Sequence, residues 1–142
     1  MSNEISIGLT NLWSFHLCIS GVLITLITVL YSFLLNKKDQ WLFYVGEVKT
    51  NHSPEAIRKS RMAKKYILRL KKAIQWCFVL LCVSAFLALV SLVFYRMPIL
   101  ASSAKIAYYI ILPATVLWFA LVIVLFVILV KQYRADTESL SL

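Results

Sequence analysis

Lys, Arg, Asp and Glu are absent from three long stretches, residues 12–35, 73–95 and 106–130, and together supply only 15% of the 142 residues. Carboxylates are the scarcest charge: Glu4, Asp39, Glu47, Glu55, Asp136 and Glu138 are all there are, and each lies outside those stretches. Paired carboxylates for acid–base work inside an apolar site are therefore excluded. Glu47 with Asn51 and His52 is the nearest approach to an acid/base pair, and a polar turn explains those residues equally well. The three Gly are isolated, so no glycine-rich loop can cradle a phosphate. The three cysteines, Cys18, Cys77 and Cys82, show no metal-ligand spacing and read as buried, small apolar thiols. No catalytic, cofactor-binding or metal-binding residue is assigned, and no cofactor is expected.

Apolar residues make up 61% of the chain, well above the usual content of a soluble domain. At about 1.5 Å per helical residue, each charge-free stretch is long enough to cross roughly 30 Å of hydrocarbon. The fold class expected is an all-α integral membrane protein, a single membrane domain over residues 1–142 with three transmembrane helices. The first Lys or Arg is Lys37 and the first apolar run exceeds a signal-peptide core, so residues 12–35 are expected to be retained as a span.

Lys and Arg in the flanks set the orientation. There are none before the first span, 11 between residues 36 and 72, two between 96 and 105, and two after 130. The N-terminus is accordingly expected outside, and the 36–72 segment and the C-terminus in the cytoplasm. Such a protein belongs in a bacterial inner membrane or another cell membrane.

Local signals place the helix ends. Asn11 is read as the N-cap of the first helix, and residues 46–52, GEVKTNH, as the turn of a basic cytoplasmic helical hairpin. Ser53, Pro54 and Glu55 supply a cap, a first-turn proline and a first-turn acid for a second helix that nothing interrupts before Arg96 and Pro98. The third helix is expected from near Ser103, with Pro113 freeing a carbonyl near Tyr109 that Thr115 would partly satisfy. Residues 132–142 are read as a disordered tail.

Two small-residue stripes are candidates for helix packing or pore lining. One comprises Asn11, Ser14, Cys18, Gly21, Thr25, Thr28 and Ser32 in the first span. The other runs from Ala56 through Cys77, Ser84 and Ala88 to Ser91 in the second helix. His16 lies on a different face from the first stripe and is read as a polar anchor at the outer interface near Trp13.

Arg58, Lys59, Arg61, Lys64, Lys65, Arg69, Lys71 and Lys72 crowd into 15 positions and form a candidate surface for a partner or an anionic membrane. Lys71, Lys72 and Arg69 can reach lipid headgroups, which topology requires. Arg58, Lys59 and Arg61 lie roughly 15–25 Å farther along a straight helix, beyond a Debye length of about 8 Å. The expected partners are membrane lipids, further copies of the chain and an acidic cytoplasmic protein, with nucleic acid disfavoured. The functional expectation is a non-enzymatic membrane subunit that self-associates and recruits a cytoplasmic partner. An oligomeric channel lined by the Ser/Thr face is the alternative, followed by a small lipid-modifying enzyme.

Overall fold

The computed structural model describes residues 3–96 and 103–138, with side chains throughout except at residues 3, 51 and 132–138. Residues 97–102, most of the outer loop expected at 97–104, and the last four residues lie outside this range. Three helices follow in order: α1 (Asn3–Asn51), α2 (Pro54–Arg96) and α3 (Ala104–Glu138). Each is long and apolar enough to span a membrane. Large apolar side chains such as Phe86, Ile110, Val116 and Leu117 stay about two-thirds exposed. That suits lipid and would be a liability in water, and the molecule is a multi-pass membrane protein.

Helix α1 starts eight residues before the expected cap at Asn11. Glu4 in the first turn complements the helix dipole. Leu9 and Leu12 are buried, so packing outweighs the weak helix propensities of Gly8, Thr10 and Asn11. At its other end, α1 does not turn at Gly46; it runs to Asn51, and the connection is only His52 and Ser53. His52 takes the left-handed conformation, with φ at 49°, and its N–H donates to Val48 O at 3.2 Å. This is the αL C-cap, more often made by glycine. Ser53 then caps α2, its carbonyl accepting from Ile57 N–H at 3.1 Å, and Pro54 occupies the first helical position as the sequence implies.

Ser103 caps α3 in the same way, accepting from Ala107 N–H at 2.9 Å. Helix α3 contains Pro113 and continues to Glu138, so the first seven residues of the stretch read as a disordered tail are helical. Thr115 Oγ1 donates to Ile111 O at 2.8 Å, the carbonyl one turn before it, and not to Tyr109 O. The hydroxyl therefore does not compensate for Pro113.

The chain divides into two compact units, Met1–Val22 with Val79–Leu142, and Leu23–Phe78. In the first unit, Leu9 and Leu12 of α1 pack with Ala104, Ala107 and Ile111 of α3, and Leu87, Val90 and Phe94 of α2 lie against this cluster. Gly8 belongs to the same contact: a Cβ there would fall 2.6 Å from the Tyr108 ring, whereas one at Gly46 would meet nothing within 4 Å. Gly46→Ala should therefore raise stability by up to about 1 kcal/mol through helix propensity alone. In Gly8→Ala the same gain is outweighed by an overpacking cost of about 1–3 kcal/mol. Unfolding of both variants in mixed detergent micelles checks this, and a destabilised Gly46→Ala would restore the turn at residues 46–52.

In the second unit the later part of α1 and the start of α2 lie side by side. Leu34, Ala56, Leu70, Ala73 and Cys77 are buried there. The Lys37 ammonium sits 5.6 Å from the Tyr66 ring centroid and donates to Gln40 Oε1 at 2.8 Å. An amphipathic α2 thus turns one stripe to α1 and its cations outward.

Candidate functional site

The most polar point inside the first unit is His16, which is fully buried. It falls on the α1 face that carries Ile5, Leu9 and Leu12, each three or four residues from the next. The imidazole is hydrogen-bonded at both nitrogens: Nδ1 lies 3.2 Å from Ser84 Oγ of α2 and Nε2 lies 3.0 Å from Thr115 Oγ1 of α3. Ser20 Oγ donates to Ser84 Oγ at 3.1 Å, and Ser84 Oγ is 3.1 Å from the His16 carbonyl, to which it can donate. Rings close the surround, with Trp118 at 5.2 Å and Phe15 at 5.7 Å from the imidazole, both edge-on. The buried Trp118 indole donates Nε1–H to Leu80 O at 3.0 Å.

Each hydroxyl in this cluster has two uses for its proton. A neutral imidazole donates from one nitrogen and accepts at the other. When Nε2 carries the proton, Thr115 accepts it and keeps its own bond to Ile111 O, while Ser84 turns its proton to Nδ1. In the other tautomer the roles reverse. Exchanging the tautomers rotates both hydroxyls, and each arrangement is satisfied because the carbonyls involved also serve as acceptors within their helices. No side-chain N or O atom is left buried and unpaired among the described residues. One residue from each helix is thereby joined through a single ring, and His16 is an interior link between the helices, not an interface anchor. Ser84 and His16 are both fully buried, so this Ser–His pair presents no face to a substrate.

The two stripes separate. Cys77, Ser84, Ala88 and Ser91 of α2 are buried, and Ser91 Oγ donates back to Leu87 O at 2.8 Å. Ser14, Cys18, Gly21, Thr25, Thr28 and Ser32 of α1 are all exposed, on the side of the helix opposite His16. Of the cysteines only Cys77 is buried; Cys18 and Cys82 are exposed, which corrects the reading of three buried thiols.

In the second unit Arg58, Lys59, Arg61, Lys64, Lys65, Lys71 and Lys72 are exposed and Arg69 is half-buried. Lys59 Nζ meets Glu55 Oε1 at 2.7 Å, one turn apart at the start of α2. The hydrogen bond and charge of Lys59 pull the Glu55 carboxyl below its ordinary pKa, and Glu55 raises that of Lys59. This pair reinforces an acid already placed at the helix N-terminus.

Ser20, Thr115 and Trp118 are cluster members that sequence reasoning did not link to His16. Two signals point to them. His16 continues the leucine stripe of its helix, and Trp118 lies deep in the third apolar stretch, where its indole N–H needs a partner. Among the described residues no group of His, Cys, Asp and Glu is arranged to hold a metal ion. In comparisons with known proteins the chain matches no family model, no curated protein and no solved structure.

Proposed function

We propose that the chain is a non-enzymatic, multi-pass membrane subunit that recruits a cytoplasmic partner through the basic start of α2 and associates with further copies of itself. The N-terminus lies outside, and the helical hairpin formed by the end of α1 and the start of α2 projects into the cytoplasm. One observation carries the reading: seven of the eight cations between residues 58 and 72 are exposed, while the opposite face of the same helix is taken up by α1. Orientation needs only a few such charges near the membrane, and cations are costly to concentrate where they repel one another. Arg58, Lys59 and Arg61 are therefore assigned to the partner, and Lys71 and Lys72 to headgroups.

Self-association rests on the α1 stripe, whose small and hydroxyl-bearing residues are left uncovered by the chain's own helices. In lipid such surfaces allow close backbone approach and interhelical hydrogen bonds. The same exposure supports a second reading, an oligomeric channel with Thr25, Thr28 and Ser32 lining the path. Liposome flux abolished by Thr28→Leu with the oligomer intact would favour the channel.

The main test is substitution of Arg58, Lys59 and Arg61 by Gln with Lys71 and Lys72 retained. Cytoplasmic partners that co-purify stoichiometrically with the wild type should be lost, while protease accessibility of the termini, which reports orientation, stays the same. Unchanged co-purification would defeat the recruitment reading. A chain that sediments as a monomer in gentle detergent at every concentration would remove the self-association.

A further inference from the structure

The exposed side of α2 is not uniformly charged. Ile57, Met62 and Leu68 are set among its cations at 36%, 44% and 54% exposure. Ile57 and Leu68 are 11 residues apart, which brings them about 20° from each other around the helix and about 16 Å apart along it. Arg61, Lys64 and Lys65 lie between them, with Arg58 and Lys72 at either end.

Building on the recruitment reading above, we propose that the partner element is an acidic amphipathic α-helix, laid along this face with apolar side chains on Ile57 and Leu68 and carboxylates on Arg61, Lys64 and Lys65. Charge complementarity supplies long-range attraction and register, and the two apolar contacts supply the part of the affinity that survives salt. Such a pairing places two apolar contacts at the ends of a charged stretch on one face, unlike the continuous apolar seam of a coiled coil.

Competing anionic surfaces fit less well. A nucleic acid would set its phosphates on the cations, but a single strand would also draw on flat rings for its bases, and a duplex would make no use of Ile57 and Leu68. The side chains offered between the cations are aliphatic, and Tyr66, the one aromatic residue of this segment, is half-buried against Lys37. A lipid surface would suit a basic helix with apolar residues only if that helix lay flat in the interface. Helix α2 instead runs without Gly or Pro from Glu55 through residues 73–78 of the apolar stretch, leaving Arg58 about 21 Å along the axis from Lys72. That exceeds the range of headgroup attraction at physiological salt.

The test uses the full chain in neutral phosphatidylcholine nanodiscs. A designed 20-residue acidic helical peptide carries two leucines 11 positions apart, and an isomer of identical composition has its leucines moved to opposite faces. Fluorescence anisotropy at physiological salt should show the matched peptide binding about tenfold more tightly than the isomer, the effect expected from about 1.4 kcal/mol of apolar contact. Ile57→Gln with Leu68→Gln should abolish that difference while helicity by circular dichroism is retained, since both side chains are exposed.

Equal binding of the two peptides would overturn the helix-pairing inference and leave recruitment standing as plain charge attraction. Tighter binding of a 20-nucleotide RNA or DNA, or of phosphatidylserine vesicles, would overturn it in favour of nucleic acid or lipid. If none of these anions bound, both the inference and the recruitment reading would fail.

Discussion

Replacing His16 by alanine is expected to cost about 3 kcal/mol of unfolding free energy, combining two interhelical hydrogen bonds in lipid with the cavity left by the ring. The ring bonds Ser84 and Thr115 and packs edge-on against Trp118 and Phe15, so all three helices of the first unit lose a shared contact. Leucine at this position should be milder, at about 1 kcal/mol, because it refills most of the volume and leaves each hydroxyl a carbonyl acceptor. Thr115→Val should cost about 1 kcal/mol alone and much less in the His16→Ala background, since the two residues share one bond. Tryptophan fluorescence during unfolding in mixed detergent micelles measures all four values. A polar anchor at the membrane surface would instead tolerate alanine, and an unchanged midpoint for His16→Ala would return the residue to that role.

Ala104→Leu should be nearly as damaging, at about 2 kcal/mol, for the opposite reason: it adds bulk where none fits. Ala104 is fully buried at the start of α3, in the cluster that holds Leu9 and Leu12 of α1. Between membrane helices small residues permit close contact, and there is no water to drive a poorly fitted surface together. Two comparisons separate this from a general intolerance of α3. Ile106→Leu, at 65% exposure two residues away, should change nothing. Leu9→Ala, which alone should cost a few kcal/mol, ought to restore part of the stability when combined with Ala104→Leu. Additive losses in the double variant would show that the two side chains do not share one space.

Much of the architecture is legible in the sequence alone. The three charge-free stretches required membrane-length helices, and Ser53 with Pro54 and Ser103 marked the starts of α2 and α3 through cap chemistry that is local to the chain. The connection between α1 and α2 was misplaced for an equally local reason. Gly46 resembles a turn residue, but one glycine costs a helix only about 1 kcal/mol, and α1 continues through it to Asn51. His52 then adopts the left-handed cap, a role that sequence seldom assigns to histidine.

The site was less legible than the fold. In water an apolar stripe reports the buried face of a helix, but in lipid both faces are apolar, and periodicity alone cannot tell packing from exposure. Both stripes of α1 repeat at three and four residues. The small, hydroxyl-bearing stripe looked like the packing face, yet Ser14, Cys18, Gly21, Thr25, Thr28 and Ser32 are exposed and the leucine stripe is the one covered.

By itself, the sequence determined the number of spans, the starts of α2 and α3 and the clustering of positive charge ahead of residue 73, because each depends on composition or on neighbours within a turn. Only the tertiary structure decided that His16 meets Ser84 and Thr115, partners 68 and 99 residues away, and that α1 packs through leucines. Those contacts depend on which helix faces are brought together. That is a property of three segments packing jointly, which no single stretch of the chain encodes.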